Sequence, residues 1–100
     1  MLKKRSQILE FEWDWQKEDQ NIKKHKVSFL ESVDSFSDPD GLQFEDKSHS
    51  KNEIRYYWIG RTKNGRILTT YFTFREGKVR IIGAAEWRKF RRIYEATQIK

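Results

Sequence analysis

His49-Ser50-Lys51-Asn52-Glu53-Ile54-Arg55-Tyr56-Tyr57-Trp58-Ile59-Gly60-Arg61 runs into Thr62-Lys63-Asn64-Gly65, then Arg66-Ile67-Leu68-Thr69-Thr70-Tyr71-Phe72-Thr73-Phe74. Arg75-Glu76-Gly77 then leads into Lys78-Val79-Arg80-Ile81-Ile82-Gly83-Ala84. β-Branched and aromatic residues fill three runs, and glycine-bearing turns separate them, which predicts an antiparallel meander of three adjacent strands. Asn64-Gly65 suits a two-residue hairpin in which both central residues take positive φ. Glu76-Gly77 supplies the second turn.

Side chains alternate faces along a strand. Glu53, Arg55, Tyr57, Ile59 and Arg61 therefore share one face, and Ile54, Tyr56 and Trp58 the other. Arg80 lies on the face opposite Val79 and Ile81. Arginine, aromatic and apolar side chains are thus interleaved in one sheet. This pattern fits either a half-buried sheet with a solvated basic face or a polyanion site.

Outward from the meander, Ile8, Glu10 and Glu12 alternate with Leu9, Phe11 and Trp13, giving a first strand over residues 7–13. Asp14 is placed to cap a helix from Trp15 to about His25, with Trp15 and Ile22 on a thin apolar face. Ser28-Phe29-Leu30-Glu31 is a capping box for a second helix to about Phe36. Asp38-Pro39-Asp40-Gly41 stops it, and Leu42 to Asp46 reads as a short edge strand. The last helix starts at Ala85-Glu86 and ends near Thr97, with Trp87, Phe90, Tyr94 and Thr97 as its packed stripe. The order β-α-α-β-β-β-β-α predicts one α+β domain over residues 1–100, an antiparallel sheet with two N-terminal helices and one C-terminal helix packed on it. Residues 1–6 read as a mobile basic lead-in and Gln98-Ile99-Lys100 as a frayed tail.

The chain has 100 residues, a net charge of +6 and no cysteine, with a pI near 9.7. A basic domain with aromatics on strands favours a nucleic acid partner, RNA above all, because unstacked bases pack on such rings. Without cysteine there is no disulfide framework, no thiolate nucleophile and no zinc site built on sulfur. Two histidines, His25 and His49, make a poor metal set, and no cofactor motif is present. No apolar run approaches the ~20 residues of a membrane span, and the N-terminus lacks the apolar core of a signal peptide, so a cytoplasmic location is expected.

What remains is an arginine set on or beside the meander, Arg55, Arg61, Arg80 and Arg88, with Glu53, His25 and His49 as proton carriers. This inventory suits metal-free RNA cleavage. The ribose 2′-hydroxyl is the nucleophile, so the protein needs only a proton shuttle and positive charge for a dianionic phosphorane. Forked guanidinium donors match phosphate oxygens. One well-placed donor contributes on the order of 3 kcal/mol, and a proton shuttle about 10²–10⁴-fold. Each residue also has a plainer reading. His25 can simply favour a helix dipole, His49 can be a solvated loop residue, Glu53 and Arg55 a surface pair, and Arg80 a snorkelling edge arginine.

Phe11-Glu12-Trp13-Asp14, Lys17, Asn21, Lys24-His25, Val27-Ser28-Phe29 and Glu31 resemble the N-terminal signature of the BrnT toxin family. His49-Ser50, Glu53, Arg55, Ile59-Gly60, Gly65-Arg66, Leu68 and Thr73 resemble its middle signature. Arg80-Ile81-Ile82-Gly83-Ala84, Trp87-Arg88-Lys89 and Tyr94-Glu95 resemble its C-terminal part. The resemblance implies a RelE-like fold and a ribonuclease toxin of a type II toxin–antitoxin system that arrests translation. It also implies a hetero-oligomer with a BrnA-type antitoxin, which neutralises the toxin and carries the DNA-binding segment, so that operator DNA is reached only through it. Carried over residue by residue, Arg55, Arg61, Arg80 and Arg88 become phosphate binders, and His25 and Glu53 the acid/base residues. One position departs from the pattern. Many members end the last strand in Ser-Ala-Arg, whereas this chain has Gly83-Ala84-Ala85. Either Arg88 supplies the missing charge, or activity is reduced and the chain is a silent partner that acts only as an antitoxin-binding co-repressor.

Overall fold

A computed structural model describes residues 9–98. The expected mobile segment 1–6, the first two residues of the strand expected over 7–13 and the last two residues of the tail lie outside the described residues. Strand β1 (Phe11–Trp13) is followed by helices α1 (Trp15–His25) and α2 (Phe29–Ser35), strands β2 (Leu42–Glu45), β3 (Arg55–Arg61), β4 (Ile67–Arg75) and β5 (Lys78–Ala85), and helix α3 (Arg88–Thr97). The expected α+β order is the observed one, and the sheet order is β1-β5-β4-β3-β2. β2 through β5 pair antiparallel. β1 joins the other edge parallel to β5, with Phe11 opposite Val79 and Trp13 opposite Ile81. The helix pair between β1 and the rest of the sheet is the long crossover that a parallel neighbour needs.

The helix ends follow the caps. Asp14 accepts from the Gln16 and Lys17 amides at 2.8 and 3.3 Å. Ser28 and Glu31 exchange bonds as a capping box, at 3.1 and 3.0 Å. Lys26, left-handed at φ 61, closes α1.

The two hairpins differ from expectation in one respect. At the first, only Gly65 has positive φ, 89°. Its amide donates to Thr62 O at 2.9 Å, and Thr62 N donates to Arg66 O at 2.8 Å. The loop is therefore longer than two residues, with the glycine as its single left-handed position. The two-residue geometry occurs instead at Glu76-Gly77, where both φ angles are positive, 51° and 79°.

The buried face of α1 also differs. Trp15 is 72% exposed and Ile22 39%, while Glu18 and Asn21 are buried. Beyond β1 the edge of β5 has free backbone groups, and α1 lies alongside it. Asn21 Nδ2 donates to Val27 O at 2.9 Å and to Ala84 O at 2.8 Å, and its Oδ1 accepts from Ala84 N at 3.1 Å. Glu18 accepts from Phe29 N, in the first turn of α2, at 3.0 Å. Burial here follows backbone hydrogen-bond demand, not apolar periodicity.

The sheet carries apolar packing on both faces. Val27, Phe29, Leu68, Phe72, Val79, Ile81 and Ala84 form the core beneath α1 and α2, flanked by Phe36, Tyr56 and Trp58. On the opposite face, Phe90 and Tyr94 of α3 pack on Ile59 and Ile67. α3 covers only the half of that face nearer Arg61. The half nearer Arg55 carries the charged residues.

Candidate active site

The meander places Arg55 opposite Thr73, Thr73 opposite Arg80 and Arg80 opposite Glu12. One row across four strands therefore reads Arg55–Thr73–Arg80–Glu12 on the open half of the α3 face. Thr73 is buried, and its hydroxyl donates to Ile54 O at 2.7 Å, so the middle of the row is neutral and short. Carboxylates steady the cations. Glu12 lies 3.4 Å from Arg80 Nη1. Glu53 accepts from Arg75 Nε and Nη2 at 3.3 and 3.1 Å and lies 3.8 Å from Arg55 Nη2. Arg55 Nε is buried without a hydrogen-bond partner among the described residues. The Nη atoms of Arg55 and Arg80 share this face, and such forked donors are of the type that matches phosphate oxygens.

The Arg75 hydrogen bonds, reinforced by the charges of Arg75, Arg55 and Arg80, hold the Glu53 carboxyl below the usual carboxylate range despite an opposing desolvation effect. Glu53 thus bridges Arg75 and Arg55.

A second ionisable pair follows β2. Asp46 precedes a single 3-10 turn, Lys47–His49, which brings His49 Nδ1 within 2.8 Å of Asp46 Oδ2. Asp46 is buried and also accepts from Ser48 Oγ at 3.0 Å. A carboxylate on one ring nitrogen fixes the tautomer and ring orientation and leaves the other nitrogen for substrate. His49 lines one hollow with Glu53, Arg55 and Arg75, and a second with Arg55, Tyr71, Ile82 and Gly83. Burial, with added repulsion from Asp46, raises the Tyr71 phenol above its ordinary value, so the ring stays neutral.

The structure brings Glu53, Arg55 and Arg80 together, and adds Arg75, Glu12 and the Asp46–His49 pair. It places the other expected residues elsewhere. Arg61 lies at the far end of β3, roughly 20 Å from Arg55 along the strand, with its guanidinium over the Tyr94 ring at 5.5 Å. Arg88 lines a separate hollow with Glu86 and Arg91. His25 packs edge-on against Trp87 at 5.4 Å and lines a hollow with Lys17, Lys24 and Ile82. That hollow adjoins the Tyr71 hollow at Ile82 but does not reach the arginines. Ala85, where the family pattern has arginine, is buried at 3% exposure opposite Thr69, on the row of Ile59 beneath α3.

In the sequence His49 stands in a polar loop with nothing to mark its partner. Asp46 was readable only as the end of a strand, and a spacing of three in a loop carries no facing rule until the turn is known. Arg75 closes β4 and pairs with Glu53 across 22 positions. Glu12 reaches Arg80 only through the parallel pairing of β1, which no local pattern announces.

The comparisons agree with this architecture. The crystal structure of the Brucella abortus ribonuclease toxin BrnT superposes with a TM-score of 0.62 at 19% identity, over 80% of this chain and 97% of that one. That likeness concerns the fold. No curated protein sequence matches the chain. The family model described as ribonuclease toxin, BrnT, of type II toxin–antitoxin system matches residues 13–90, a span that contains both helices of the crossover, the Asp46–His49 turn and the full meander. The chain belongs to the BrnT family of type II toxin–antitoxin ribonuclease toxins.

Proposed function

We propose that this chain is itself an active, metal-independent endoribonuclease toxin that inhibits translation, with its site at the Arg55–Thr73–Arg80 row. The carrying observation is the pair of guanidiniums on one sheet row, beside an oriented imidazole. Arg55 and Arg80 bind the scissile phosphate and take up the charge that develops as the 2′-hydroxyl attacks phosphorus. His49, held by Asp46, moves the proton. The 2′-oxygen–phosphorus bond forms, the phosphorus–5′-oxygen bond breaks, and the products are a 2′,3′-cyclic phosphate and a 5′-hydroxyl. Glu53 and Glu12 hold the arginines in place until substrate arrives. The mechanism draws its positive charge from arginine and needs no metal.

A toxin of this type has an antitoxin partner. For this chain we take it to be a BrnA-type protein that neutralises it in a hetero-oligomer and links it to operator DNA. Among the described residues no helix is long and apolar enough to cross a membrane, in keeping with action on cytoplasmic RNA.

The silent co-repressor alternative drew its support from the missing arginine at position 85. The burial of Ala85 beneath α3 removes much of that support, because the position lies outside the Arg55–Arg80 row. Incubation of the purified chain with cellular RNA in EDTA, beside Arg80→Ala and Arg55→Ala, decides the matter. Cleavage by the wild type alone supports the assignment. Intact RNA throughout, with native circular dichroism, rejects catalysis by the isolated chain, and a growth-arrest assay then separates ribosome-dependent toxicity from co-repression.

A further inference from the structure

Two residues along the strands from the arginine row lies a second row, Phe44–Tyr57–Tyr71–Gly83. Its rings touch in sequence. Phe44 stacks on Tyr57 at 5.2 Å, Tyr57 meets Tyr71 at 5.7 Å, and Tyr71 meets Trp87 at 5.5 Å. The row ends at Gly83 without a side chain. A Cβ added there would meet only Asn21 Oδ1, at 3.7 Å, so the space beside Tyr71 is open because residue 83 is glycine. The β-bulge between Tyr71 and Phe72 brings Ile82 to the same hollow. Tyr71, Ile82 and Gly83 thus bound a hollow of about 260 Å³ whose other walls are Arg55 and Asp46–His49. Beyond Ile82 the surface turns basic again at Lys17 and Lys24.

Two positions along a strand span about 6.6–6.8 Å, comparable to the step between neighbouring nucleotides of an extended single strand. We infer that the Tyr71–Ile82–Gly83 hollow is a nucleobase slot, so that the substrate is single-stranded RNA. One base stacks on Tyr71 beside the scissile phosphate on Arg55 and Arg80, and the neighbouring phosphate lies toward Lys17 and Lys24. This rests on the ribonuclease reading and adds the substrate class to it. Aromatic stacking is tolerant of base identity, since every base has a π-face, and a paired base cannot enter a hollow of this shape while stacked in a duplex. The slot binds any unpaired base and excludes a paired one.

The test is binding of a single-stranded RNA oligonucleotide made uncleavable by 2′-O-methylation, followed through tryptophan fluorescence, which Trp87 beside Tyr71 makes sensitive to the slot. Tyr71→Leu is expected to weaken binding about tenfold, while Tyr71→Phe stays near wild type, because the ring and not the hydroxyl does the stacking. Removing one base at a time should reveal one position whose loss weakens the wild type about tenfold and leaves Tyr71→Leu unchanged. Gly83→Leu keeps every ring and fills the slot, and is expected to weaken binding by a similar factor. It also guards against a folding defect in Tyr71→Leu, which a melting curve checks. Equal binding by wild type, Tyr71→Leu and Gly83→Leu, or tighter binding of duplex than of single strand, overturns the slot. Wild-type cleavage with such a result leaves the ribonuclease standing and removes only the slot. Failure of the wild type both to bind and to cleave removes both.

Discussion

Arg55 and Arg80 stand on one row of the sheet, each directly opposite Thr73. Two strand spacings of ~4.8 Å separate their backbones, and their forked heads reach the same open face. Like charges repel across this gap, which Glu53 and Glu12 offset. Replacing either arginine by alanine therefore barely changes stability and lowers cleavage about 10²–10³-fold, the scale of one lost transition-state donor. Lysine in either position restores charge but not the fork, and recovers only part of the rate. Initial-rate measurements on a defined oligonucleotide, beside thermal melts, check both statements.

The Asp46–His49 pair gives a second prediction. His49→Gln keeps much of the side-chain volume but cannot carry a proton, and the rate falls about 10²–10⁴-fold. Asp46→Asn leaves the imidazole in place but gives His49 and Ser48, which use both carboxylate oxygens, a single acceptor oxygen beside an NH2 donor, and gives a smaller loss. The informative readout is the initial rate of each variant beside its melting curve. Equal losses in both variants, or losses that follow a lowered melting temperature, mark the pair as structural.

Much of the fold was readable along the chain because its rules are local. The Ser28–Glu31 capping box, the Asp14 cap and the alternation that sets Arg55 and Arg80 apart from Tyr56 and Val79 each depend on neighbours within a few positions. What escaped depends on pairings at long range. Trp15 and Ile22 have the spacing of a buried stripe, yet the helix turns Glu18 and Asn21 inward. The deciding partners are the β5 edge at Ala84 and the first turn of α2, and those become partners only once the sheet exists. Arg61 shares a face with Arg55 as alternation requires, but alternation does not say that α3 covers one end of that face and leaves the other open.

Asn21 provides a third prediction, for stability. Its amide spans the Val27 carbonyl and both backbone groups of Ala84. Asn21→Ala leaves these groups unmet in a buried setting, and a loss of about 3 kcal/mol follows from the ~1–3 kcal/mol typical of one such group. For a domain of this size that lowers the melting temperature by roughly 10–20 °C. Asn21→Asp is no rescue, since a carboxylate would face two carbonyl oxygens without the donors they need. A melting temperature within a few degrees of wild type in Asn21→Ala would show that the contact is dispensable.

Asp38 and Tyr94 set the pH range of the α3 docking. The Tyr94 hydroxyl donates to Asp38 Oδ2 at 2.6 Å, and that same oxygen accepts from Arg61 N at 2.7 Å. Burial by itself raises the Asp38 carboxyl, but the Tyr94 hydroxyl and the Arg61 and Asp40 amides outweigh it and hold the group below its ordinary value. A carboxyl depressed in the folded state contributes stability above its unfolded pKa of ~3.9 and loses it as pH falls through the lower folded value. The phenol behaves in the opposite sense. Burial first, and the bond to Asp38 next, raise Tyr94 above its ordinary value, so its contribution holds below pH ~10 and fades above it. Thermal melts of wild type and Tyr94→Phe across pH 2–11 should differ most between these limits. The difference should shrink at the acid end, where Asp38 protonates, and again at the alkaline end, where the phenol ionises. Melting curves that coincide at every pH would mean that the Tyr94 ring packed on Ile59 and Ile67, which phenylalanine keeps, and not the hydrogen bond, fastens α3 to the sheet.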